Sequence, residues 1–223
     1  MIWESLWLTF KLAFVTTILL FLLGTPLAYW LSRTKTRSKP IWEALISMPL
    51  ILPPTVLGFY LLVAFGQSSF LGSFLQNLLG LNMVFSFEGL VFASIIYSLP
   101  FMIHPIQAGF SGLPIHLKEA SYSLGKSKTI TFFKVLLPNI KPALLTGIVL
   151  SFAHTIGEFG VVLMIGGNIP SETRVASIAI YDEVESLNYA AANQLSLILF
   201  VISFAILLGV YLLNNNTFKS FWK

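Results

Sequence analysis

Cysteine is absent from the 223 residues, which excludes a disulfide framework and any thiolate metal site. Charge is nearly as scarce: 10% of the chain is charged and 56% hydrophobic, with a mean hydropathy of +0.84. A soluble domain of this length would need far more polar surface, so the composition indicates a multi-spanning membrane protein. Histidine is limited to His104, His116 and His154, spread without a ligand motif, so no resident metal or cofactor is expected. A net charge of +4 raises nucleic-acid binding as an option, and the placement of the charges argues against it.

Apolar runs of about 20 residues predict five spans, near 6–31, 41–65, 89–110, 142–165 and 195–213, within a single transmembrane domain over 1–223. The first run has no small-residue cleavage site behind a short apolar core, so a retained helix is expected there and not a signal peptide. The ten residues after Leu213 are too few for a regulatory domain. Arg33, Lys35, Arg37 and Lys39 fill the first connection. Lys118, Lys126, Lys128, Lys134 and Lys141 lie in or beside the third, and Lys219 and Lys223 in the tail. With five spans these all share one side. The other side holds Arg174 against Glu4, Glu88, Glu172, Asp182, Glu183 and Glu185. The positive-inside rule then sets the N-terminus outside and the C-terminus in the cytoplasm. Lys11, inside the first span, is expected to snorkel to the outer interface.

Pro49, Pro53 and Pro54 interrupt the second span, and Pro100 and Pro105 the third. Each removes a helix hydrogen bond, and such kinks occur both along transport paths and in purely structural helices. The stretch 67–87 is too polar and glycine-punctuated to span, and is expected to form an outer loop with a short interfacial helix.

The connection at 111–141 is polar and lysine-bearing between apolar spans. Residues 114–124 can form a short helix with Pro114 in its first turn and Gly125 at its C-terminal cap. Its apolar positions are too few for it to stand alone, so it needs a partner surface. Pro138 and Pro142 are expected to mark turns before the fourth span. Gly125-Lys126-Ser127 imitates the end of a phosphate-binding loop, but the required first glycine falls on Ala120 and a helix precedes it. The chain is therefore not expected to bind ATP.

The fourth span carries His154, Gly157, Glu158 and Gly160. A carboxylate at bilayer centre costs about 2.5–3.5 kcal/mol to insert, so Glu158 marks an interior or water-lined position. The flanking glycines allow close helix approach or local unwinding. His154 and Glu158, four residues apart, would share one helix face. A metal pair there lacks further ligands. A structural hydrogen-bonding role for Glu158 and a role in a substrate path or gate both remain open, as does, more remotely, a multi-pass membrane enzyme using His154 and Glu158.

The run Glu119-Ala120-Ser121, three residues, Gly125, nine residues, then Val135-Leu136-Leu137-Pro138 resembles the E-A-A-x3-G-x9-I-x-L-P loop of ABC importer permeases. Ser121 replaces the second alanine and Val135 the isoleucine. Gly157-Glu158-Phe159-Gly160, Gly167-Asn168-Ile169-Pro170 and Ile178-Ala179-Ile180-Tyr181 extend the resemblance to the molybdate branch of oxyanion importers, with sulfate and tungstate permeases as near relatives. The resemblance implies an all-α polytopic bundle of about five spans, like type I importer permeases, with a short cytoplasmic coupling helix, in the bacterial cytoplasmic membrane. It implies a non-enzymatic transport subunit translocating molybdate by alternating access, with sulfate or tungstate as alternatives. It also implies a homodimer, two ATP-binding subunits, and a periplasmic or extracellular molybdate-binding protein. Glu119, Ala120 and Gly125 fall on its ATPase-docking motif. Gly157, Glu158 and Gly160 fall on its gate-region motif, and Asn168 on the turn after it.

Overall fold

A computed structural model describes the backbone of residues 2–221 and the side chains of residues 2–212, so Lys219 and Lys223 lie outside the described side chains. The chain begins with α1 (Ile2–Arg33), which has Glu4 in its first turn and Arg33 in its last, charges that complement the helix dipole. Next come α2 (Lys39–Ile51) and α3 (Pro54–Phe65), which meet at 112°. Leu52 and Pro53 between them are extended, at ψ 135° and 136°. Each precedes a proline, and a residue before proline is pushed out of the helical region. The expected second span is therefore two helices at a sharp corner and not one kinked rod.

A short helix, α4 (Phe70–Leu79), follows. The Ser69 hydroxyl accepts from the Gly72 N–H at 2.9 Å, and Gly80 closes the helix at φ +66°. The next element, α5 (Phe87–Gly112), runs unbroken through Pro100 and Pro105. This corrects the expectation that prolines interrupt the third span. The helix packs closely against α1 and against the later helix at Lys141–Ile156, neighbours that support it where the prolines remove backbone bonds.

The 111–141 connection contains α6 (Ile115–Ser123), α7 (Lys128–Thr131), a π-helical turn (Phe132–Leu136) and α8 (Leu137–Asn139). It leads to α9 (Lys141–Ile156) through a 75° bend. The bend falls at Ile140, φ −110°, and not at Pro138, which lies inside α8; Pro142 begins α9. The expected fourth span is then broken again after Ile156, giving α10 (Gly160–Gly166). It is followed by α11 (Ala176–Glu185) and α12 (Tyr189–Phe221).

Among the described residues α1, α5 and the Tyr189–Leu212 part of α12 are each long and apolar enough to cross a membrane, and the count reaches five if each bent pair is one span. The protein is an all-α polytopic bundle.

Helices α1 and α5 lie side by side and parallel. Near their starts Leu8 and Leu12 share a core with Leu90, Val161, Ile165 and Ile178. Near their ends Leu20, Ala28 and Leu31 pack with Met102, Ile106, Phe110, Leu136 and Ile140. Lys11 lies on the first of these ends, its Nζ 4.2 Å from the Phe87 ring centroid. Along the bundle edge α12 leaves Leu197, Phe200 and Phe204 exposed, an apolar face suited to lipid.

Candidate functional site

Most of the α6 segment is exposed, with Leu117 and Lys118 partly covered. Ser121 is its one buried residue, and the Ser121 and Thr131 hydroxyls hydrogen-bond at 2.8 Å inside the fold. Position 121 departs from the motif alanine, and its hydroxyl ties α6 to the last residue of α7, where the π-helical turn begins. Gly125, at φ +72°, caps the helix. Its N–H bonds to the Tyr122 carbonyl, and the Lys126 N–H to the Ser121 carbonyl, so the orphan carbonyls at the helix end are used. Beneath, Leu136 and Ile140 are buried, and Phe132 packs against Phe110 and Tyr29. Glu119 and Ala120 are exposed, as are Ile115 at 64% and Leu124 at 75%. The loop is rigidly rooted and presents an open face.

At the broken span Gly157 ends α9, and Phe159, φ −131° and ψ −60°, lies outside helical geometry before α10 starts. His154 and Glu158 therefore do not share a helix face. His154 Nδ1 hydrogen-bonds with Ser98 Oγ at 3.0 Å, and its ring stacks on Phe101. Glu158 is 4% exposed, and neither carboxylate oxygen has a hydrogen-bond partner among the described residues. The Ser94 hydroxyl of α5 is likewise buried with no hydrogen-bond partner among the described residues. The Ser177 hydroxyl of α11 donates to the Glu158 carbonyl at 2.6 Å, satisfying a group the break set free. The two glycines differ in use. A Cβ on Gly160 would sit 2.7 Å from the Pro54 Cβ of α3, whereas one on Gly157 would meet nothing nearer than 3.9 Å. Close approach happens at Gly160 and unwinding at Gly157. No cluster of three or more His, Asp or Glu that could hold a metal occurs among the described residues.

Asn168 belongs to a polar clasp over this region. Its amide donates to Asp182 at 2.7 Å, and its carbonyl accepts from Arg174 Nε at 2.5 Å. Arg174 Nη2 also lies 3.4 Å from Asp182. The buried Thr173 hydroxyl donates to the Gly166 carbonyl, fixing the turn, while Thr9 of α1 accepts from the first N–H of α11 at 2.7 Å.

One feature was not singled out from the sequence. Ser47 bonds His104 Nε2 at 3.1 Å, and Gln107 donates to Glu43 at 2.7 Å, bridging α2 and α5. The 39, 43, 47 and 104, 107, 108, 111 spacings were available as a signal, since each is a single helix face.

The family model described as "Binding-protein-dependent transport system inner membrane component" matches residues 11–219. The chain is similar to the molybdenum transport system permease ModB of Azotobacter vinelandii, 47% identical over 96% of this chain and 93% of that one. It is 35% identical to a "Probable sulfate transport system permease protein cysT" of Chlorella vulgaris, over 90% of this chain and 75% of the other. Two solved structures share its fold. An inward-facing MetNI methionine ABC transporter superposes with TM-score 0.71 at 17% identity, covering 95% of this chain and 94% of its own. A bacterial ABC transporter importing alginate gives 0.79 at 15% identity, over 96% and 78%.

Proposed function

The chain belongs to the binding-protein-dependent transport system inner membrane components, and from that premise we propose that it is the membrane-spanning subunit of an ATP-driven importer of molybdate. The observation that carries the reading is the 47% identity to a molybdenum permease over 96% of the chain, which spans both the α6 loop and the broken span. ATP hydrolysis belongs to separate ATPase subunits, and a binding protein supplies the anion. In the finer reading two copies of this chain form the path and two ATP-binding subunits grip their α6 helices. The chain sits in the bacterial cytoplasmic membrane with its N-terminus outside and its C-terminus and α6 inside, as the lysine distribution favours.

On that reading Glu119, Ala120 and Gly125 form the docking surface, and Gly157, Glu158, Gly160 and Asn168 the gate region. The α6 helix moves with the ATPase it touches. Through Ser121–Thr131 and the buried Leu136, that motion reaches the bends at Ile140 and Gly157, where the backbone is already free of regular helix. Closure of the ATPase pair swings the bundle outward-facing, and hydrolysis returns it inward.

The sulfate permease relative supports a second reading, an importer of sulfate or tungstate. Cells expressing the chain with its ATPase and binding protein decide between them. ATP-dependent accumulation of labelled molybdate, resistant to excess sulfate, is expected. Accumulation of sulfate in its place would overturn the substrate and leave the architecture.

A further inference from the structure

We propose that the facing polar stripes of α2 and α5 form the wet wall of a cytoplasmic exit vestibule, where a tetrahedral oxyanion makes its last contacts before release. The proposal rests on the importer reading above. On α5 the stripe is His104, Gln107, Ala108 and Ser111, spaced three and four apart on one side of the helix. The opposite side of the same turns, Met102, Ile103, Ile106 and Phe110, is wholly buried core. On α2 the stripe is Lys39, Glu43 and Ser47 at intervals of four. The two are joined by Ser47–His104 at 3.1 Å and Glu43–Gln107 at 2.7 Å.

Between them lies an open cavity of about 380 Å³ lined by Glu43, His104, Gln107, Ala108 and Ser111. One water needs only roughly 10–15 Å³, so this polar-lined space has room for many. At 1.5 Å per residue, Ala108 lies about 6 Å and His104 about 12 Å inside the α5 terminus, within the membrane-crossing part of the helix. Ionisable side chains at such depth face a protein interior or a water-filled cavity and not lipid tails. Among the described residues the chain's own helices leave this stripe open, and on the two-copy reading it faces the path between the copies.

The lining suits an anion that must leave. His104, Gln107 and Ser111 carry imidazole, amide and hydroxyl groups able to donate to oxyanion oxygens. The Glu43 carboxylate is engaged by Gln107 and has Lys39 Nζ 3.7 Å away, so its charge is offset. Donors without a bare cation facing the cavity hold an anion weakly, as conduction requires.

The absence of native cysteine makes the test clean. The A108C and L197C variants are assembled with their ATPase subunits, and inside-out membrane vesicles are treated with an anionic methanethiosulfonate. Leu197, 58% exposed on the apolar α12, is the lipid-facing control. Labelling of A108C at least tenfold faster than L197C is expected, and trapping the ATPase pair with vanadate is expected to slow labelling at 108 severalfold. A rate at 108 no greater than at 197 would overturn the vestibule. In cells, H104L is expected to lower the uptake rate severalfold while the ATPase still co-purifies. Fast labelling at 108 with sulfate imported by the wild type in place of molybdate would keep the vestibule and overturn the substrate. Molybdate import with position 108 unreactive would do the reverse.

Discussion

Around α6 the backbone bonds are closed and the side chains face outward, whereas at the Gly157–Phe159 break the backbone opens and an acidic side chain turns inward. The first region has one buried residue and two exposed large aliphatics, Ile115 and Leu124. The second has a buried carboxylate whose oxygens find no partner among the described residues, and a helix start pressed on Pro54. A surface like the first becomes useful when another protein covers it. A site like the second holds tension between packing and solvation inside the chain. Substitutions should accordingly damage association at α6 and folding or movement at the break.

The sharpest contrast lies between the two glycines of the break. Gly160→Leu forces a side chain into Pro54 and is expected to cost about 1–3 kcal/mol or more, read as loss of the monodisperse peak in size-exclusion chromatography. Gly157→Ala, with nothing within 3.9 Å, should elute as the wild type does. At the other region Glu119→Ala should reduce ATPase co-purification at least tenfold, about 1.4 kcal/mol, without moving the melting temperature. Unchanged association and uptake would remove the docking assignment. Glu158→Gln keeps the shape and removes a buried group able to ionise, so uptake should fall while melting is unchanged or rises by at most ~1 kcal/mol. Stability and uptake both unchanged would place the carboxylate outside the working parts.

Smaller effects probe the roots of each region. Ser121→Ala leaves the buried Thr131 hydroxyl without its partner and should cost ~1 kcal/mol, with Ser121→Ala/Thr131→Val regaining much of it. Asn168→Ala loosens a clasp that is partly exposed, and a loss of about 0.5 kcal/mol is expected in thermal melts.

Local chemistry made α6 legible. Pro114 and Gly125 bracket it within a residue of where their backbone preferences place its ends, and Ser69 and Gly80 do the same for α4. The prolines were misleading because their outcome depends on neighbours. Pro53 and Pro54 in succession bar two residues from helix and turn the chain by 112°. Pro100 and Pro105 leave α5 intact between α1 and α9. His154 and Glu158 read as one face only on the assumption of an unbroken helix. His104 read as isolated because its partners, Ser47 and the α2 stripe, lie 57 residues away.

Residue order by itself determined the membrane class, the charge asymmetry, the all-helical composition and the family motif, because hydropathy and backbone preference act over a few turns of chain. Only tertiary packing decided which prolines break a helix, which glycine is crowded, where Glu158 is buried and how the α2 and α5 stripes meet. Those outcomes turn on the solvation and space that distant segments supply to one another, and no local preference contains them.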